Sequence, residues 1–138
     1  MPELVGLGTD LCEIARIAEV LGRHGERFAK RVLGPAELLL FHQRRARHEA
    51  RGIAFLATRF AAKEAFSKAL GTGMRQPMSW RVCEILPDAS GKPVVRAHGA
   101  LAAYLAERRL TALVSVTDER GMVAATVLLQ QERDPPHA

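Results

Sequence analysis

Apolar residues recur along this chain with spacings that change from segment to segment, and each spacing predicts an element. Leu4-Val5-Gly6-Leu7-Gly8 is a short apolar run that gives way at Thr9-Asp10, the pattern of a strand ending and a helix beginning. Ile14, Ile17, Ala18 and Leu21 then return at helical spacing and predict an amphipathic helix over residues 11–21, interrupted by Gly22 and Gly25. A second helical stretch passes through Phe28, Val32 and Leu33 to Gly34. A third is predicted over 36–47, with Pro35 at a position where the missing backbone donor has no partner to lose.

Residues 53–70 depart from this amphipathic pattern. Twelve of the eighteen are Ile, Leu, Phe or Ala, and only Arg59, Lys63, Glu64 and Lys68 are charged. Apolar side chains surround the whole circumference, which predicts a helix buried between layers or at a subunit contact. Gly71 is placed to end it, and Gly71-Thr72-Gly73 reads as a flexible turn.

The second half reads as strands with one helix. Strands at 80–86 and 94–98 flank a turn at 87–93, a helix follows at 100–109, and a hairpin joins 112–117 to 122–130 through a turn at 118–121. The order β-α-α-α-β-β-α-β-β does not alternate regularly. It predicts an α+β fold, a single domain over residues 1–138, with an antiparallel sheet packed against a long buried helix and a frayed tail at 132–138.

Composition narrows the class. With 138 residues, 48% hydrophobic and 25% charged, disorder is excluded as a description of the whole chain. A chain of this length buries roughly 68–70% of its unfolded surface, so no disulfide or metal staple is required. Cys12 and Cys83 are then expected to be reduced, small buried residues of a cytoplasmic protein. Met1-Pro2-Glu3 carries no basic leader, and the longest apolar run, 100–106, is far short of the ~20 residues of a membrane span, so no membrane is expected. The net charge is +5, and residues 16–51 hold nine basic and four acidic side chains, which accounts for all of the excess. Such a stretch reads either as solvated helix faces or as a docking surface for an acidic partner.

The candidate chemistry is sparse. Gly6-Leu7-Gly8 lacks the third glycine of a dinucleotide fingerprint, no lysine follows a phosphate-binding glycine loop, and no Cys or His spacing resembles a zinc site. No Ser–His–Asp or Cys–His arrangement supplies a nucleophile. Asp10 and Glu64 could together offer carboxylate oxygens to a hard divalent cation, with Arg59, Lys63 and Lys68 on the same helix to offset phosphate charge. Each acid also has a structural alternative. Asp10 can cap the first helix with Glu13 three residues on, and Glu64 can pair with Lys68 at i+4.

Gly6-Leu7-Gly8-Thr9-Asp10, then Arg59-Phe60-Ala61-Ala62-Lys63-Glu64-Ala65-Phe66-Ser67-Lys68 running into Gly71-Thr72-Gly73, and later Gly91-Lys92-Pro93, resemble the holo-[acyl-carrier-protein] synthase family. This is the short bacterial type of 4′-phosphopantetheinyl transferase, and the resemblance covers residues 4–130. It implies an enzyme that transfers the phosphopantetheinyl group of coenzyme A to a serine of apo acyl carrier protein, in fatty acid biosynthesis, releasing adenosine 3′,5′-bisphosphate. It further implies Mg2+ on Asp10 and Glu64, and a homotrimer with active sites between subunits. Catalysis is then assigned to Asp10, Lys63, Glu64 and Lys68, and coenzyme A binding to Arg59, Lys63, Lys68, Gly71, Thr72, Gly73, Ser115 and Thr117. Arg16, Arg23 and Arg27 match the positions that receive the acidic helix of the carrier. The base that takes the serine proton is a metal-polarised water relayed to a carboxylate, Glu64 itself, or Lys63. Many relatives carry a histidine where this chain has Asp118. Ser115 and Thr117 alternatively face solvent from a strand. Two other classes of function compete: a nucleic-acid-binding module using Arg44, Arg45, Arg47 and Arg51, although its few rings lie outside any basic strand, and a non-catalytic trimeric scaffold.

Overall fold

In the computed structural model, which describes residues 1–133, the opening apolar run is only the start of a longer strand, β1 (Glu3–Glu13). Its length is set by a partner at the other end of the chain. The antiparallel register runs from Glu3 opposite Gln131 to Glu13 opposite Met122, with one irregularity between Leu4 and Gly6. The first helix, α1 (Ile14–His24), therefore starts later than expected and continues through Gly22. Asp10 is consequently a mid-strand residue and caps nothing; Glu13 occupies the N-cap without a side-chain bond. A continuous ladder outweighs one capping bond of about 1 kcal/mol.

Gly25, with φ 61°, closes α1 and opens α2 (Glu26–Val32) as a separate helix. With α3 (Pro35–Arg47) and α4 (Glu49–Leu70), four helices precede the next strand, one more than the expected order. The remainder is β2 (Cys83–Pro87), β3 (Pro93–Ala97), α5 (Gly99–Glu107), β4 (Leu110–Glu119) and β5 (Met122–Gln131). Strands β1, β5 and β4 form one antiparallel sheet in that order, and β2 with β3 forms a second. The β4–β5 hairpin is tighter than expected. Arg120 and Gly121, both at positive φ, make a two-residue turn that matches the twist of its strands. Trp80 lies in the loop before β2 rather than on that strand. Among the described residues no helix is long and apolar enough to cross a membrane.

The α+β architecture is a layered one. Helix α4 packs on the inner face of the three-stranded sheet, and α1, α2 and α3 cover its other side. Burial on both sides explains its all-round apolar sequence within one protomer. Gly71 ends it in the left-handed conformation (φ 83°), its N–H donating to the Ser67 and Lys68 carbonyls. The outer face of the sheet is exposed and mixes hydroxyl side chains such as Thr9 and Thr111 with apolar ones, Leu7 62%, Leu11 70%, Leu113 44% and Met122 38% exposed. At the chain end the Glu132 N–H donates to the Arg109 carbonyl at 3.0 Å, and Arg133 pairs with Glu3 at 3.0 Å. The rest of the expected frayed tail, 134–138, lies outside the described residues.

Candidate active site

The site begins with two glycines. A Cβ on Gly8 would collide with the Ala65 carbonyl oxygen, and one on Gly6 with that of Ala69, so β1 and α4 approach closely only because both positions lack a side chain. That approach sets Asp10 of β1 against α4. Lys68 Nζ crosses the gap, donating to Asp10 Oδ1 at 3.0 Å and to the Thr9 carbonyl at 2.9 Å. The intrahelical Glu64–Lys68 pair expected as an alternative is thus replaced by a bridge from helix to strand. Glu64 and Asp10 line one cavity of about 430 Å³. Burial pushes the Glu64 carboxyl up, the nearby Asp10 charge pushes it further, and Lys68 offsets part of this. Two acids placed so that one resists ionisation, with a lysine beside them, form an arrangement that a hard cation satisfies. Among the described residues no group of three or more His, Cys, Asp or Glu could hold a metal ion, so other oxygen donors would complete its shell.

Lys63 is not at this site. Its side chain is fully buried, and Nζ donates to Glu37 Oε1 at 2.5 Å, the Val32 carbonyl at 2.6 Å and the Trp80 carbonyl at 2.8 Å. All three ammonium protons are used, which leaves none for phosphate and no route to a serine, so its catalytic and cofactor-binding assignments are withdrawn. Adjacent residues on a helix diverge by about 100°, so Lys63 and Glu64 cannot share a face. Glu37, which sequence reasoning missed, is its partner: a carboxylate also receiving the Gly34 and Ile85 N–H groups at 2.9 and 2.8 Å. The one signal for it was an acid three residues past Gly34 at the start of α3.

Arg59 lies elsewhere again. Its Nε donates to the Ile85 carbonyl at 2.8 Å, its guanidinium covers the Phe55 ring at 4.3 Å, and burial lowers its pKa to about 10, still cationic at neutral pH. It lines a second cavity of about 700 Å³ together with Arg44, Arg47, His48, Arg51 and Asp118. Sequence reasoning had offered three of these arginines to nucleic acid and had not joined them to Arg59. Residues 44, 47 and 51 lie three and four apart across the α3–α4 junction, the spacing that could have grouped them.

The remaining candidates are dispersed. Gly71, Thr72 and Gly73 follow Lys68 at the end of α4, with the Thr72 hydroxyl donating to the Gly73 carbonyl at 2.8 Å. Ser115 and Thr117 alternate with inward Val114 and Val116, so they stand exposed on the outer sheet face and line neither cavity. Arg16 lines the carboxylate cavity, Arg27 lines an adjoining groove, and exposed Arg23 pairs with Glu19 at 2.9 Å. Burial raises the Cys12 thiol above its ordinary value and pushes that of Cys83 up to about 12, which favours the protonated form of both.

Known proteins resemble this chain in fold and sequence. The profile of the 4′-phosphopantetheinyl transferase superfamily matches residues 6–127. The holo-[acyl-carrier-protein] synthase of Leptothrix cholodnii is 57% identical over 129 residues, 94% of this chain and 98% of that protein. The crystal structure of the Neisseria meningitidis holo-[acyl-carrier-protein] synthase superimposes with a TM-score of 0.84 at 40% identity, covering 92% of this chain and 98% of that one. A Bacillus anthracis holo-(acyl-carrier-protein) synthase, solved in complex with CoA (3′,5′-ADP), matches with a TM-score of 0.76 at 29% identity, over 94% of this chain and 98% of that one.

Proposed function

Because the chain belongs to the 4′-phosphopantetheinyl transferase superfamily, we propose a division of its reaction between the carboxylate cavity and the arginine cavity. The enzyme transfers the 4′-phosphopantetheinyl group of coenzyme A to a serine of apo acyl carrier protein, for fatty acid synthesis, and releases adenosine 3′,5′-bisphosphate. The observation that carries the site reading is the meeting of Asp10, Glu64 and Lys68 where α4 lies on β1.

Asp10 and Glu64 fit magnesium by their chemistry, since they are hard oxygen donors whose mutual repulsion a divalent cation relieves. When bound, the ion supplies charge neutralisation for the pyrophosphate and alignment for in-line displacement. Lys68 is half exposed, so its ammonium can turn to a phosphate oxygen as substrate enters. The serine hydroxyl proton passes to Glu64, which lines the cavity beside Asp10. The serine oxygen then bonds to the pantetheine-bearing phosphorus, and the bond from that phosphorus to the oxygen of adenosine 3′,5′-bisphosphate breaks. Gly71, Thr72 and Gly73, directly beyond Lys68, let the backbone approach the cofactor.

The arginine cavity takes the remaining phosphate of coenzyme A. The two cavities share no lining residue, and the outer sheet face exposes the large apolar side chains of Leu7, Leu11, Leu113 and Met122. Both features support a homotrimer in which one protomer's carboxylates work with a neighbour's arginines. Ser115 and Thr117, on that same face, reach a cofactor only across such a contact. Arg16, Arg23 and Arg27 receive the acidic carrier. Two reduced cysteines suit the cytoplasm. Apo carrier protein incubated with the enzyme, coenzyme A and magnesium gains one phosphopantetheinyl mass on its serine; an equal gain in EDTA refutes the metal assignment, and no gain refutes the reaction.

A further inference from the structure

Phe60 sits one turn before Glu64 on α4, so both side chains leave the helix on one face and line the same cavity. Phe60 is held from behind. Trp80, the chain's one tryptophan, stacks on it with centroids 5.1 Å apart and planes 19° from parallel, while Phe28 of α2 tilts against it at 6.1 Å. Trp80 does not line the cavity, yet its backbone is fixed on both sides. Lys63 Nζ donates to its carbonyl at 2.8 Å, and Arg81 Nε donates to the Leu33 carbonyl at 3.1 Å. The buried lysine thus anchors a row that runs from Trp80 through Phe60 to Phe28.

That row ends on a surface of mixed character. Val20 and Phe28 belong both to the carboxylate cavity, where Arg16 stands, and to the adjoining groove with His24, Arg27 and Arg31. An apolar floor therefore connects the acids to a set of cations, which fits an acidic amphipathic segment arriving with its serine at Glu64. A lone Phe ring rotates between rotamers, whereas a stacked one has its plane fixed.

We propose that Trp80 is a positioning residue for carrier recognition: by stacking on Phe60 it fixes the apolar wall of the Asp10–Glu64 cavity against which the carrier's acceptor segment lies, and it has no part in holding coenzyme A. This rests on the docking surface proposed above. Trp80→Leu removes the stack and is expected to raise KM for apo carrier protein about three- to tenfold, leaving kcat and the KM for coenzyme A unchanged. Trp80→Phe keeps a ring and restores the wild-type KM. In the wild type, the Trp80 emission shifts when apo carrier is added without coenzyme A, a measurement that stands even where Trp80→Leu does not fold. An unchanged carrier KM in Trp80→Leu, an equal rise in both KM values, failure of Trp80→Phe to rescue, or emission unmoved by saturating carrier each overturns the role given to Trp80. Arg16→Glu with wild-type carrier affinity overturns instead the docking surface, so the two failures are distinguishable.

Discussion

Lys63→Met separates a structural lysine from a catalytic one. The substitution keeps the length and apolar stem of the side chain and deletes one charge, so little cavity forms. What remains is Glu37, fully buried, still accepting from Gly34 and Ile85 but facing no cation. Breaking a buried pair from one side costs about 3–5 kcal/mol, a large share of the roughly 5–15 kcal/mol that holds such a domain together. At about 3–4 °C per kcal/mol for a chain of this length, Tm falls by about 10–20 °C. The loss also depends on pH. Burial already pushes the Glu37 carboxyl up, and without Lys63 only the Gly34 and Ile85 N–H groups oppose that rise. A carboxyl whose folded pKa lies above its unfolded one stabilises the fold while protonated, and that contribution is lost as pH climbs through the folded value. The deficit of Lys63→Met relative to wild type is therefore smaller at pH 5 than at pH 8. Adding Glu37→Gln removes the stranded charge and recovers part of the loss, a coupling of about 0.5–3 kcal/mol. Urea unfolding at fixed protein concentration, followed by far-ultraviolet circular dichroism, measures all of this. A Lys63→Met variant within about 1 kcal/mol of wild type that has nonetheless lost turnover would refute the structural reading.

Asp10→Asn and Glu64→Gln each lower transfer by about a hundredfold or more in the mass-shift assay while circular dichroism stays native, because neither fills core volume. Since burial and Asp10 raise the Glu64 carboxyl in the metal-free cavity, protons compete with the cation there, and the magnesium concentration that gives half-maximal transfer rises as pH falls; a requirement that does not change with pH contradicts this. Gly8→Ala forces β1 away from the Ala65 carbonyl and costs about 1–3 kcal/mol together with coenzyme A affinity, whereas Gly22→Ala, with open space around it in α1, stabilises by about 0.5–1 kcal/mol in the same denaturant series. Arg16→Glu weakens carrier binding more than Arg23→Glu, because Arg23 is already paired with Glu19 in water, and both effects shrink with added salt.

The sequence was legible where structure is local and less so where it depends on distant partners. The all-round apolar run of α4, its glycine stop and the last hairpin follow from neighbours a few residues apart. The true length of β1 does not, because it depends on a strand more than a hundred residues later. Asp10 was readable as part of a site by resemblance, yet only the ladder with β5 decides that it faces α4 instead of capping α1. Lys63 and Lys68 flank Glu64, and their residue types are the same. Which one is buried follows from Glu37, on a helix whose packing against α4 no local pattern encodes. The arginine cavity was missed as a unit because its members come from α3, from α4, which packs close where Gly52 lets Arg45 approach, and from β4.

Helix α4 distributes the work of the site by direction around one axis. Ala65 and Ala69 meet the glycines of β1, Phe60 and Glu64 open on the carboxylate cavity, Phe55 and Arg59 border the arginine cavity, and Lys63 points to Glu37. Such an allocation works only if the helix keeps its rotational setting, since a rotation by one residue, about 100°, would carry Glu64 away from Asp10. Apolar packing alone constrains that setting weakly here, because the apolar residues surround the helix. The three bonds from Lys63 reach the end of α2, the start of α3 and the loop at Trp80, three segments that no rotated arrangement could satisfy together. An apolar residue at position 63 could match the pair in stability once Glu37 were also replaced. It would not specify direction, and direction is what places Glu64 and Lys68 beside Asp10.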